Sequence, residues 1–181
     1  MKTLVPFLTL LTLLGMATLL GCSSNSKSPE VSDNIRKSLD QSGLKDVSVK
    51  QDRDKGVVTL GGNVPADSDK AQAETIAKAN AAGQVVANEI AVLPPDNKSD
   101  AKDVNSALDD GIEKNLDATL IQNKLNKDVK YDVKNGVVTL KGDVRSQNTR
   151  ASAEKLAAHV PNVQQVVNEL EVKGQKATAT N

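Results

Sequence analysis

The sequence predicts an α+β fold built twice, each copy running α-β-β-α-β. Three observations predict it. Gly136-Val137-Val138-Thr139-Leu140-Lys141-Gly142-Asp143-Val144 repeats Gly56-Val57-Val58-Thr59-Leu60-Gly61-Gly62-Asn63-Val64, eighty positions earlier. The same spacing relates Ile76-Ala77 to Leu156-Ala157, Asn88-Glu89 to Asn168-Glu169, and Val92 to Val172, a register kept without a gap over more than thirty residues. Within each copy the apolar spacing changes from steps of four to alternation and back, as helices and strands require.

In the first copy, Ser28-Pro29-Glu30 reads as a helix start, with a capping hydroxyl, proline in the first turn and an acid at the positive end of the dipole. Val31, Ile35 and Leu39 then share one face, and Gly43 is the stop. Val47, Val49 and Gln51 alternate as a strand; a turn around Asp54-Lys55-Gly56 returns the chain as Val57 to Leu60. Gly62 and Pro65 end that strand, and a helix over about 66–82 turns Ala73, Ile76 and Ala77 inward. Val86, Asn88, Ile90 and Val92 alternate as the third strand.

Leu93-Pro94-Pro95 stops the strand and opens a polar linker, taken as residues 94–109 between domains at 29–93 and 110–173. The spacing of Val104 and Leu108 allows a helix from Asp103, and Gly111 leaves its continuity into the next helix open. In the second copy Ile112, Leu116, Leu120 and Leu125 answer Val31, Ile35, Leu39 and Leu44 at an offset of eighty-one. Val129, Tyr131 and Val133 alternate. Asn135-Gly136 is a strong type I′ hairpin signal, because both residues tolerate positive φ. Ser146 caps a helix carrying Ala153, Leu156, Ala157 and Val160, and Val166 to Val172 close the copy. Residues 174–181 read as a disordered tail. Each copy alone is marginal for an independent core, and docking of the two would bury more apolar surface.

Residues 1–21 read as an export signal: Met1-Lys2, an apolar run from Leu4 to Leu20, then small residues before Cys22. A membrane span is the alternative, since about seventeen apolar residues are borderline for crossing a bilayer. Leu19-Leu20-Gly21-Cys22 resembles a bacterial lipobox, which implies cleavage before Cys22 and attachment of lipid such as palmitate to its sulfur. Ser23 in place of aspartate then implies the outer membrane, facing the periplasm. Residues 22–28 form a polar tether; its stretch after the cysteine spans about 20 Å fully extended, which keeps the first module near the membrane.

The chain carries 23 basic and 23 acidic residues; losing Lys2 with the signal leaves 22 basic, less basic than a dedicated nucleic-acid binder. Tyr131 is the one aromatic after residue 21, so base- or sugar-stacking platforms are absent. His159 is the sole histidine and Cys22 the sole cysteine, which leaves no triad or transition-metal set, and no cofactor is expected. Acids such as Asp52, Asp54, Asp67 and Asp69 fall at turns and helix starts; no catalytic frame is recognisable.

The α-β-β-α-β order, the Gly-Val-Val-Thr-Leu-x-Gly-x-Val core and the closing Val-Val-x-Asn-Glu-Leu pattern resemble the BON domain, over roughly Val31–Leu93 and Asp110–Lys173. The resemblance implies, for each module, a small three-stranded mixed sheet with two helices on one face. It also implies a non-catalytic envelope protein, similar to tandem-BON outer-membrane lipoproteins. Members are thought to bind phospholipid surfaces, and some are linked to periplasmic protein folding.

Three sets of residues stand out. Gly56, Gly62, Gly136 and Gly142 read as turns and bends, with a phosphate-cradling loop as the alternative for Gly62 and Gly142. Asn88 and Asn168 interrupt apolar strand faces; a buried amide tying down a neighbouring loop is the structural reading, a ligand contact the other. Lys124, Lys127 and Lys130 follow the first helix of the second copy, and Lys141, Arg145 and Arg150 follow its hairpin. Where these regions converge they form a basic patch for anionic headgroups. An ordinary solvated face, interrupted by Asp128, Asp132 and Asp143, is the alternative. The expected partners are thus phospholipid, through the anchor and the second module, and envelope polypeptides, through a strand edge or an apolar helix face.

Overall fold

A computed structural model describes residues 27–173; the expected signal, Cys22, most of the tether and the tail lie outside the described residues. In the first copy, α1 (Ser32–Gln41) leads into β1 (Val47–Asp52) and β2 (Val57–Val64), then α2 (Asp67–Asn80), β3 (Val85–Asn88) and β4 (Ala91–Val92). In the second, α3 (Lys98–Gln122) precedes β5 (Lys130–Lys134), β6 (Val137–Lys141), β7 (Asp143–Val144), α4 (Gln147–Ala158), β8 (Gln165–Asn168) and β9 (Glu171–Val172).

Both copies are mixed sheets. β1 and β5 pair antiparallel with β2 and β6, while β3 and β8 pair parallel with the same central strands. One face carries the helices. Ile35 and Leu39 of α1 and Ala73 and Ala77 of α2 bury against Val49, Val58, Leu60 and Val86. Ile112, Leu116 and Leu120 of α3, with Ala153 and Ala157 of α4, do the same against Val138, Leu140 and Val166. Among the described residues, every residue of these cores lies between Val31 and Val172, so a chain from Ser28 onward keeps all three.

The opposite faces of the two sheets meet each other. Val57, Ala87, Val137 and Val167 form a third apolar cluster, joined by Val85. The doublets Val57-Val58 and Val137-Val138 therefore serve both faces of one strand. Two ion pairs cross the junction reciprocally: Lys55 of the first hairpin with Glu169 at 2.9 Å, and Lys134 of the second hairpin with Glu89 at 3.2 Å. The Asn135 side chain adds a bond to the Glu89 carbonyl at 2.8 Å.

Three local expectations are revised, and one point left open is settled. Ser28 is not the cap of α1: its N–H donates to Arg53 O at 2.8 Å, and Val31 holds the N-cap position. The cause is Gln51, whose carboxamide takes Pro29 O (2.7 Å) and Val31 N–H (3.1 Å) and keeps 29–31 beside β1. The third strand is split, because Asn88 Oδ1 accepts the N–H of Ile90 and breaks the ladder between β3 and β4. Within the expected linker 94–109, Pro95–Asn97 make a 3₁₀ turn and α3 begins at Lys98. Finally, α3 passes through Gly111 unbroken. A glycine costs a helix about 1 kcal/mol, too little to interrupt one held by a core downstream and by Asp109, whose carboxylate accepts the N–H groups of Asn135 (2.7 Å) and Gly136 (2.9 Å).

Candidate functional site

The repeated glycines and asparagines are built into the frame. Asn135 and Gly136 have φ of +47° and +79°, the conformation of a type I′ turn, and Gly56 has φ +69° in the first hairpin. Gly62 and Gly142 lie where each central strand bends, at φ +99° and +119°; a Cβ there would stand 2.2 and 2.3 Å from the carbonyl oxygens of Asp46 and Asp128. The two asparagines tie down a helix rather than a loop. Asn88 Nδ2 donates to Lys70 O (3.2 Å) and Glu74 (3.0 Å); Asn168 Nδ2 donates to Arg150 O (3.2 Å) and Glu154 (2.8 Å). Burial would raise the Glu74 carboxyl, but hydrogen bonds from Asn88 and Lys78 outweigh it and hold the group below its ordinary value.

A cleft of about 520 Å³ opens at the module junction, lined by Lys70, Glu74 and Lys78 of α2 and by Glu154 of α4. Burial lowers the Lys70 ammonium. The charges lining it include both signs, and no reactive constellation is present. Among the described residues no three His, Cys, Asp or Glu side chains are placed to hold a metal. His159 lies exposed on α4's end, its Nδ1 2.6 Å from Lys155 O.

The expected basic patch is partly assembled. Gly142 packs directly on the carbonyl of Asp128, which brings the loop carrying Lys124 and Lys127 against the β6–β7 bend. Lys130 faces Lys141 across the β5–β6 ladder, and Arg145 follows β7 at the same end of the sheet. Lys124, Lys127, Lys130 and Arg145 are exposed. Lys141 is ion-paired with Asp132, and that hydrogen bond raises its pKa.

Arg150 departs from the expected cluster. Its Nε donates to Leu170 O (3.0 Å) and its Nη2 to Asn168 O (2.9 Å), so the guanidinium closes the break between β8 and β9. The charge pattern alone cannot reveal this, since only the fold sets those carbonyls within reach of α4.

Aligned by register, the second copy is the more basic at this end, the first keeping Lys45 where the second has Lys127. Lys124 (φ +59°) occupies the left-handed position after α3 that Gly43 (φ +81°) fills after α1. Pro65 stands where the second copy has Arg145, and Leu93 where it has Lys173. The first turn of α2 carries Asp67 and Asp69; that of α4 carries no acid. Asp128, Asp143 and Glu171 temper the basic end without cancelling it.

The family model for the BON domain matches the chain twice, over residues 28–94 and 108–174. Comparison with curated proteins gives no match. Two solved structures of CdsD, a structural protein of the type III secretion system of Chlamydia trachomatis, one of them its C-terminal domain, are similar at 13% identity and a TM-score of 0.31. The similarity covers 78% of this chain and 61% and 65% of theirs, so the chain spans less than two thirds of those proteins' length. The two family matches take in most of the chain and fall on the two α-β-β-α-β units: the chain belongs to the BON domain family.

Proposed function

We propose that this is a lipid-anchored outer-membrane protein that contacts anionic phospholipid through the basic end of its second module. BON domains bind phospholipids and occur in envelope stress proteins. The observation that supports the reading is the asymmetry between the copies. One fold is built twice, yet at the end of its sheet the second has Lys124, Lys127, Lys130 and Arg145 where the first has Gly43, Lys45, Ser48 and Pro65. The first module then serves as the link to Cys22 and as the surface on which the second is braced. Among the described residues no helix is long and apolar enough to cross a membrane; attachment in this reading is through the acylated Cys22. Anchor and basic end act together: a tethered module meets the bilayer at a high effective concentration, which allows each separate contact to be weak.

The test is co-sedimentation of residues 28–181 with vesicles of neutral lipid and of neutral lipid containing phosphatidylglycerol. Binding to the anionic vesicles alone, falling as salt is raised, is the expected outcome. Equal binding to both, or to neither, rejects the reading.

A further inference from the structure

Among the described residues the two main ladders, β1-β2-β3 and β5-β6-β8, have four outer edges, and side chains bond main-chain groups on three of them. The edges of β3 and β8 face each other across the module junction. Gln165 bridges them: its Nε2 donates to Val86 O at 2.7 Å and its Oε1 accepts the N–H of Asn88 at 3.1 Å. Arg150 takes the outward carbonyl of Asn168. On the first module's outer edge, Arg36 Nη2 donates to Val49 O at 3.3 Å, and Gln51 holds residues 29–31 alongside β1.

The fourth edge, β5, is open. Val138 and Leu140 turn their main-chain groups to β8, as the bond from Glu169 N to Leu140 O shows. Val137, Thr139 and Lys141 therefore bond Lys134, Asp132 and Lys130. That leaves the N–H and C=O of Tyr131 and Val133 pointing out of the sheet, and among the described residues nothing bonds them. Asp117 stands where the first copy has Arg36. Lysines on a short edge discourage indiscriminate pairing, but they also select. Asp132 is matched by Lys141 and Lys134 reaches Glu89, which leaves Lys130 without a carboxylate. The side chains of Tyr131 and Val133 lie on the helix side, partly buried.

We propose that β5 is a docking edge for an extended polypeptide segment in which acidic and apolar residues alternate. Its main chain would continue the sheet through the free groups of Tyr131 and Val133, and an acid of the segment would lie beside Lys130. This site adjoins the proposed lipid contact at Lys130 but differs from it in kind. It uses main-chain groups, and it would give the protein a polypeptide client alongside its membrane.

The probe is a synthetic nonapeptide of alternating valine and glutamate added to residues 28–181. Amide exchange at Tyr131 and Val133 should slow at least tenfold, while amides on β1 keep their rates. The same peptide N-methylated at alternate residues keeps its charge and should bind at least tenfold more weakly. Val133→Pro removes an outward N–H without touching the β5–β6 ladder; it should lose the peptide and keep its binding to anionic vesicles. If that variant fails to fold, the N-methylated peptide decides alone. Unchanged exchange at Tyr131 and Val133, equal binding of the two peptides, or a dimer of the chain joined through β5 would overturn the proposal.

Discussion

Replacing Lys124, Lys127 and Arg145 together, as Lys124→Gly, Lys127→Gln and Arg145→Gln, is expected to weaken binding to anionic vesicles about a hundredfold. Each cation near an anionic surface contributes about 1 kcal/mol, and three such losses amount to roughly two decades of affinity. Stability should hold. Lys127 and Arg145 are exposed, and neither makes an ion pair among the described residues. Lys124 is a non-glycine residue at positive φ, which costs about 1–2 kcal/mol. Glycine removes that strain while adding backbone freedom to the unfolded chain. The net change should stay within about 1 kcal/mol. Titration with phosphatidylglycerol vesicles, beside a thermal melt, separates lost contact from lost fold. A variant that melts as before and binds as before would show that the basic end is only a solvated face.

Gly142→Ala should cost about 3 kcal/mol or more, enough to lower the melting temperature by roughly 6–12 °C for a chain of this size. Two effects add. A residue forced into a rarely populated backbone conformation costs about 1–3 kcal/mol, and the new Cβ would lie 2.3 Å from the main-chain oxygen of Asp128. A flexible side chain could swing away from such a clash; a main-chain oxygen cannot. Gly62→Ala repeats the test in the first module, against Asp46 O at 2.2 Å. Two glycines serve as controls. Gly43→Ala meets nothing within 4 Å and pays only for its positive φ, a conformation that Lys124 already adopts in the other copy. Gly111→Ala also meets nothing and lies inside α3, so it should stabilise by about 1 kcal/mol. Differential scanning calorimetry of the four variants checks the order. Because Gly142 holds the Lys127 loop against the β6–β7 bend, its alanine variant should also bind vesicles less well, and only together with its loss of stability.

Much of the fold is legible in the sequence because the module is written twice. The hairpin at Asn135-Gly136, the inward sets of α2 and α4 and the parity of β2 and β6 all follow from local spacing. What escapes local spacing is whatever depends on a distant neighbour. Ser28 has the chemistry of a helix cap, but Gln51 across the sheet holds the preceding segment extended. The polar run after Pro95 has no periodic signal, yet it becomes the first turns of α3 because Asp109 locks that helix onto the second hairpin. The second valine of each doublet marks a core face, while the first reads as surplus until the other sheet is in place. At the basic end, Lys124, Lys127 and Arg145 are visible as charges, and Gly142 gives a hint of why their loops meet. Arg150 looks like one more cation until the carbonyls of Asn168 and Leu170 are seen to hold it. Gln165 carries no sequence signal for its role, since an exposed strand glutamine and an edge-closing one read alike.

The central claim is one of place: the second module, by its basic end, meets the bilayer. Amide line broadening by anionic vesicles carrying a headgroup spin label tests it most directly on isotope-labelled residues 28–181. Broadening concentrated at residues 124–130 and 143–146, with 43–46 and 62–66 of the first module left sharp, is the result predicted. Broadening centred on the first module, or spread evenly over both, would contradict it.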